Sequence, residues 1–105
     1  MKTFTILGYG WLGAKLAQNL KRDYNIKVSV RNEDKLLDFK NLGYSSFILN
    51  EYNFSSLDEL LDTNYLFINY PPSKFDDYLG FLEKIYSCKK IKNIEKINIA
   101  FVKCC

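Results

Sequence analysis

Ile6-Leu7-Gly8-Tyr9-Gly10-Trp11-Leu12-Gly13 sets three glycines in the G-x-G-x-x-G spacing, directly after an apolar run, Phe4 to Leu7, that reads as a buried first strand. A helical pattern follows at once, with Leu12, Leu16 and Leu20 on one stripe and Ala14 and Ala17 beside it. Strand, glycine turn and helix in that order are the context in which this spacing marks a dinucleotide-binding turn. Gly8 permits the tight exit from the strand. Gly10 lets backbone N–H groups approach a pyrophosphate with no Cβ in the way, and Gly13 lets the helix pack close to the sheet. The free N–H groups and positive dipole end of that helix then face the phosphates. Gly8, Tyr9, Gly10, Trp11, Leu12 and Gly13 are therefore the expected cofactor contacts. The same residues also spell a glycine turn of an α/β protein that holds no nucleotide.

Outward from this unit the alternation continues. Lys27 to Val30 reads as a second strand, and Glu33 to Asn41 as a helix with Leu36, Leu37 and Phe39 inward, stopped by Gly43. Ser46 to Leu49 is a third strand. Ser56-Leu57-Asp58-Glu59 has the form of a capping box opening a short helix through Leu61. Tyr65 to Asn69 is a fourth strand ended by Pro71-Pro72. Ser73 is expected to cap a longer helix with the stripe Phe75, Tyr78, Leu79, Leu82, Ile85 and Tyr86, and Lys96 to Val102 is a fifth strand. Five strands separated by four helices imply an α/β fold with a doubly wound parallel sheet of order 3-2-1-4-5 and two helices on each face. This is a Rossmann-like arrangement, incomplete at its C-terminal end.

Composition narrows the function classes. The 105 residues suit a single domain, 1–105, too small for a cofactor domain plus a substrate domain. A net charge of +3, with lysines scattered apart from a cluster between Lys84 and Lys96, does not indicate nucleic-acid binding. No stretch is long and apolar enough for a membrane span, and the N-terminus has no signal-peptide apolar region, so no membrane partner and a cytoplasmic location are expected. Histidine is absent, and the cysteines, Cys88, Cys104 and Cys105, have no metal-ligand spacing, which excludes zinc sites and histidine-based triads. The terminal Cys-Cys pair has nothing else beside it to mark a prenylation signal.

In such a sheet ligands bind beyond the carboxyl ends of the strands where the strand order reverses, between strands 1 and 4. The glycine turn lies there, and so does Asn69-Tyr70-Pro71-Pro72. Tyr70 and Pro71 are expected to line the adenosine or nicotinamide-ribose side of the cleft. The paired prolines also serve as a rigid stop that sets up the next helix. Strand 2 ends in Arg31-Asn32, where an NAD site usually places a carboxylate for the ribose 2′-hydroxyl. A guanidinium there suits the 2′-phosphate of NADP with paired donors and a full positive charge, which favours NADP over NAD. The alternative for Arg31 is a solvated loop charge, and Glu33 and Asp34 belong to the first turn of a helix.

Ile6 to Gly13, Arg31 after strand 2, and Phe67-Ile68-Asn69-Tyr70-Pro71-Pro72 after strand 4 together resemble the short-chain dehydrogenase/reductase superfamily. More narrowly, the chain is similar to the atypical, extended-type group described as nucleoside-diphosphate-sugar epimerase-like. The Gly-x-Gly-Trp-Leu-Gly loop and the paired prolines carry this likeness. It covers nearly the whole chain but only the N-terminal portion of a family member. The resemblance implies a Ser or Thr after strand 5 and a Tyr-x-x-x-Lys pair on the next helix, the tyrosine as acid/base and the lysine lowering its pKa. This chain reaches Cys104-Cys105 where the serine is due, so the catalytic region is expected to be missing and no catalytic residue is assigned. Two literal matches fail on geometry. Tyr86 and Lys90 fall at the far end of their helix, and Pro71-Pro72 interrupt the turn between Tyr70 and Lys74.

Three readings follow. The first is a dinucleotide-binding domain, NADP preferred with NAD as the alternative, from the N-terminal half of a reductase or epimerase-like protein. The second is a regulatory nucleotide-sensing module acting through a partner chain. The third is a Rossmann domain that binds nothing. Ile97, Ile99, Phe101 and Val102 on the fifth strand predict an apolar sheet edge covered by a second copy of the chain or by a missing C-terminal segment.

Overall fold

The computed structural model describes residues 1–8, 10–70 and 75–99. Five strands, β1 (Lys2–Leu7), β2 (Tyr24–Val30), β3 (Ser45–Ile48), β4 (Tyr65–Ile68) and β5 (Lys96–Ile99), form one sheet of order β3-β2-β1-β4-β5. All four neighbouring pairs are parallel, with Ile6 opposite Val28 on one side of β1 and Leu7 opposite Ile68 on the other. The helices are α1 (Trp11–Leu20), α2 (Leu36–Asn41), α3 (Leu57–Leu61) and α4 (Tyr78–Tyr86), with 3-10 turns at Glu33–Lys35 and Lys89–Asn93. The expected doubly wound order is present.

Side-chain alternation along each strand builds two cores. Ile6, Ile26 and Val28 face α1 and α2, where they meet Ala17, Leu16, Leu20 and Phe39. Leu7, Leu66 and Ile68 face α3 and α4, where they meet Leu57, Leu60, Leu61, Phe81 and Ile85. Both faces of the central strands are covered, as a parallel sheet requires.

Several local expectations are corrected. In α1 the buried residues are Gly13 and Ala17, Leu16 and Leu20 flank them, and Leu12 is exposed. A hydrogen at Gly13 brings the helix axis so close to Ile6 that only small residues fit directly against the strand. The segment from Glu33 splits into a 3-10 turn and the short α2, with Leu37 66% exposed beside an inward Leu36 and Phe39. Ser56 makes no side-chain cap on α3, so the capping box does not form. Its Glu59 turns instead to Lys27, at 3.3 Å. Helix α4 begins at Tyr78, with the Asp77 carboxylate accepting from Gly80 N at 3.0 Å. Ser73, the expected cap, lies outside the described residues. Of the expected stripe, Phe75, Tyr78, Leu82 and Ile85 pack on the core, and Phe81 joins them. Phe81 and Ile85 point inward, while Leu79 (71% exposed) and Tyr86 face out. On β5, Ile97 and Ile99 pack on the α3–α4 core and Lys96 and Asn98 are exposed, so the described part of this edge strand already shelters its apolar side. Phe101 and Val102 lie outside the described residues.

Candidate functional site

The carboxyl ends of β1, β2 and β4 meet where the strand order reverses, and they enclose a cavity of about 320 Å³. It is lined by Gly8 and Gly10 from the glycine turn, by Ser29, Val30, Arg31 and Asn32 at the end of β2, by Asp34, Lys35 and Phe39 beyond it, and by Asn69 and Tyr70 after β4.

The three glycines are required for different reasons. Gly8 has φ +86°, and a Cβ on it would lie 2.9 Å from the Asn69 carbonyl oxygen and from Tyr70 Cδ1. Both the left-handed backbone and the close approach of the β4 end demand glycine. A Cβ on Gly13 would sit 3.1 Å from Ile6 Cγ2, which is the tight helix–sheet contact. Gly10 differs. Its backbone is extended, and among the described residues a Cβ there would meet nothing nearer than Asn69 Nδ2 at 4.0 Å. As N-cap of α1 it offers no side chain to the first helical N–H groups, and the first turn carries no acidic residue. Those N–H groups form the positive end of the helix beside the cavity.

Beneath the glycine turn runs a buried polar chain. Gly8 N donates to Ser29 Oγ at 2.9 Å, and Ser29 Oγ shares a hydrogen bond of 2.6 Å with the Tyr70 hydroxyl. The Tyr70 ring stands edge-on to Phe75 and Phe81, at 5.3 and 5.2 Å between centroids. Burial pushes the Tyr70 phenol well above the ordinary tyrosine range, although the Ser29 hydrogen bond and the charge of Arg31 act in the opposite sense. Tyr70 thus borders the cavity as a neutral, 1% exposed side chain whose hydroxyl is engaged by Ser29. Through Ser29 it braces the turn.

Asn69 sits at the same level, its N–H donating to the Leu7 carbonyl at 2.8 Å. Its side chain is buried, and Oδ1 has no hydrogen-bond partner among the described residues. An unpaired buried carbonyl costs about 1–3 kcal/mol, so this atom calls for a donor from outside the described chain.

Arg31 stands at the rim with its guanidinium 5.0 Å over the Phe75 ring and Nη2 3.8 Å from Glu51 Oε1. Its carbonyl accepts from Asn50 Nδ2 at 2.9 Å. The Asn32 side chain accepts from Asp34 N at 3.2 Å and so caps the 3-10 turn.

Of the expected contacts, Gly8, Gly10, Arg31, Asn32 and Tyr70 line the cavity. Gly13 is buried under α1, and Trp11 and Leu12 lie on the helix surface outside the lining, Trp11 being 81% exposed. Tyr9 and Pro71, and with them Pro72 and Lys74, lie outside the described residues. Tyr86 ends α4, and Lys90, in the turn that follows, pairs with Asp62 at 4.0 Å at the opposite end of the sheet. Ser29, Val30, Asp34, Lys35, Phe39 and Asn69 are the lining residues that sequence reasoning did not assign as contacts. Ser29 had a signal: a hydroxyl between Val28 and Val30, in a strand covered on both faces, must find a partner. Asp34 and Lys35 had none, because their position depends on the break between the 3-10 turn and α2.

No family model matches this sequence, and no curated protein does. Solved structures do share its fold. The TrkA-N domain of the inner membrane protein ybaL of Escherichia coli superposes with a TM-score of 0.59 at 13% identity, covering 94% of this chain and 87% of that one. A component of dipicolinate synthase from Bacillus halodurans superposes with a TM-score of 0.58 at 17% identity, covering 96% of this chain and 38% of that one. The chain therefore spans most of the first structure and well under half of the second. These likenesses and the strand order together establish a Rossmann-like α/β fold.

Proposed function

We propose that residues 1–105 act as a dinucleotide-binding domain that prefers NADP to NAD and corresponds to the N-terminal part of a reductase or epimerase-like short-chain dehydrogenase. Gly10 carries the reading. Gly8 and Gly13 are explained by contacts within the chain, whereas among the described residues a Cβ at Gly10, beside the α1 N-terminus, would meet only Asn69 Nδ2, at 4.0 Å. A pyrophosphate lying against that N-terminus gives the missing reason. Asn69 Oδ1, without a partner among the described residues, supports the same conclusion, since a ribose hydroxyl or a bound water could donate to it. Arg31 at the rim supports the choice of NADP. When bound, the dinucleotide would supply hydride chemistry; the chain's own part is to hold it, through Gly8, Tyr9, Gly10, Arg31 and Asn32 and the backbone N–H groups of Trp11 and Leu12 at the start of α1, with Tyr70 and Pro71 flanking.

Titration with NADPH and NADH, followed by the fluorescence of Trp11, tests this. Quenching by NADPH at much lower concentration than by NADH is expected. A folded sample quenched by neither would rule the reading out.

A second reading, a nucleotide-sensing module that works through a partner chain, is favoured by one observation. Among the described residues, no tyrosine free to exchange protons borders the cavity, because the Tyr70 phenol is buried and engaged. A second copy of the chain, or a further segment pairing along β5, is the partner this reading would use. Sedimentation at increasing concentration distinguishes the two, a concentration-independent monomer counting against self-association.

A further inference from the structure

We infer that Glu51 sets how strongly the cavity distinguishes a 2′-phosphorylated nucleotide from its unphosphorylated counterpart, by holding the charge of Arg31 in check. This rests on the NADP-binding reading given above.

Glu51 comes from the loop after β3, and its place is fixed by the backbone. Asn50 Nδ2 donates to the Arg31 carbonyl at 2.9 Å, which ties this loop to the end of β2. The isolated bridge between Asn50 and Asn53 closes the loop on itself. Glu51 Oε2 accepts from Asp76 N at 3.3 Å, and Oε1 then lies 3.8 Å from Arg31 Nη2. At that separation the two side chains interact as charges rather than as hydrogen-bonded partners. The carboxylate is the more buried of the two, its side chain 16% exposed against 41% for Arg31. Its field is therefore less screened by solvent at the cavity rim than the field of a surface pair.

Among the described residues lining the cavity, the other charged side chains are Asp34 and Lys35, one of each sign. Glu51 lies just outside that lining and acts on it through Arg31. A phosphate dianion drawn to Arg31 also enters the field of Glu51, whereas a ribose hydroxyl carries no net charge and is nearly indifferent to it. The penalty imposed by Glu51 thus falls selectively on the 2′-phosphate. A carboxylate from the β3 loop does from the side what an acidic residue at the end of β2 would do directly.

The test is Glu51→Gln, which keeps the size of the side chain and an oxygen to accept from Asp76 N–H. NADPH and NADH affinities would be measured by Trp11 fluorescence or calorimetry on the whole chain. The NADPH dissociation constant should fall by about tenfold and the NADH constant change by no more than about twofold, the contrast expected from removing one nearby negative charge. Glu51→Asp, which keeps the charge, should stay near the unaltered chain, and adding Arg31→Gln to Glu51→Gln should abolish the gain. Equal shifts for both nucleotides, or weaker NADPH binding to Glu51→Gln, would overturn the inference while leaving the NADP reading standing. Binding of neither nucleotide to any of these folded variants would overturn both.

Discussion

Gly8 and Gly10 stand two positions apart and should respond to alanine in opposite ways. At Gly8 the left-handed backbone and the 2.9 Å approach of the Asn69 carbonyl both oppose a methyl group. Gly8→Ala should lower stability by about 2–4 kcal/mol, visible as a large fall in the denaturation midpoint. Gly10→Ala should leave stability within about 0.5 kcal/mol, because the methyl enters open space. The same change should weaken NADPH binding about tenfold or more if a pyrophosphate occupies that space. Tyr70 makes a separate prediction at this scale. Its phenol is held protonated by burial, so its folded pKa lies above the unfolded value of 10.0. The folded state then binds the proton more tightly than the unfolded state does. The resulting stability is fully present below pH 10 and is lost as pH rises beyond it, by up to about 1.4 kcal/mol per unit. Tyr70→Phe should be less stable by about 1 kcal/mol at neutral pH, through loss of the Ser29 hydrogen bond. The gap between the two proteins should narrow in alkaline melts.

Helix α3 shows how an element too short to stand alone is held by its neighbours. Five residues make barely one helical turn, and propensity cannot sustain it. Its carbonyl end is capped across the sheet. Thr5 Oγ1 donates to the Leu60 carbonyl at 2.8 Å, and Lys27 Nζ donates to the carbonyls of Glu59 and Asp62 at 2.7 and 2.9 Å. A cation at a helix C-terminus also opposes the negative end of its dipole. Lys27→Met keeps the aliphatic stem and removes the ammonium donors, so it should cost about 1–2 kcal/mol in a chemical denaturation experiment. The helix was legible through Leu61 from the Ser56-Leu57-Asp58-Glu59 pattern at its start, but the cap that holds it was not. The Ser-x-x-Glu pattern pointed to the N-terminus, whereas the stabilising contacts lie at the C-terminus and come from residues 32 and more positions away. In α4, likewise, the periodicity announced the helix and placed Tyr78, Leu82 and Ile85 inward, but it missed Phe81 and turned Leu79 and Tyr86 the wrong way, since the core beneath selects the exact centre of the face.

For the molecule as a whole, the cavity and the sheet edge are the two features open to test. A nucleotide that binds only the folded state stabilises it by mass action. NADPH at a hundred times its dissociation constant should add about 2.7 kcal/mol and raise the melting temperature, and NADH at the same concentration should do less. Arg31→Gln should bring the two ligands level. At the edge, β5 turns Ile97 and Ile99 into the α3–α4 core and leaves Lys96 and Asn98 outward. A charge on an edge strand discourages indiscriminate pairing, so any association there should be specific and saturable in sedimentation rather than open-ended.

The parallel sheet, its order and the place of the glycine turn could all be derived from the chain alone, because they follow from local terms. Apolar runs of strand length alternate with helical periodicity, and right-handed crossovers leave few ways to connect them. Helix phase, the bracing of Gly8 by Ser29 and Tyr70, the unpaired Asn69 oxygen and the pairing of Arg31 with Glu51 were settled only in three dimensions. Each depends on contacts between strand ends far apart in the chain, such as the 41 positions separating Ser29 from Tyr70. Residue type announces that a polar group will need a partner there, but only packing decides which one it finds.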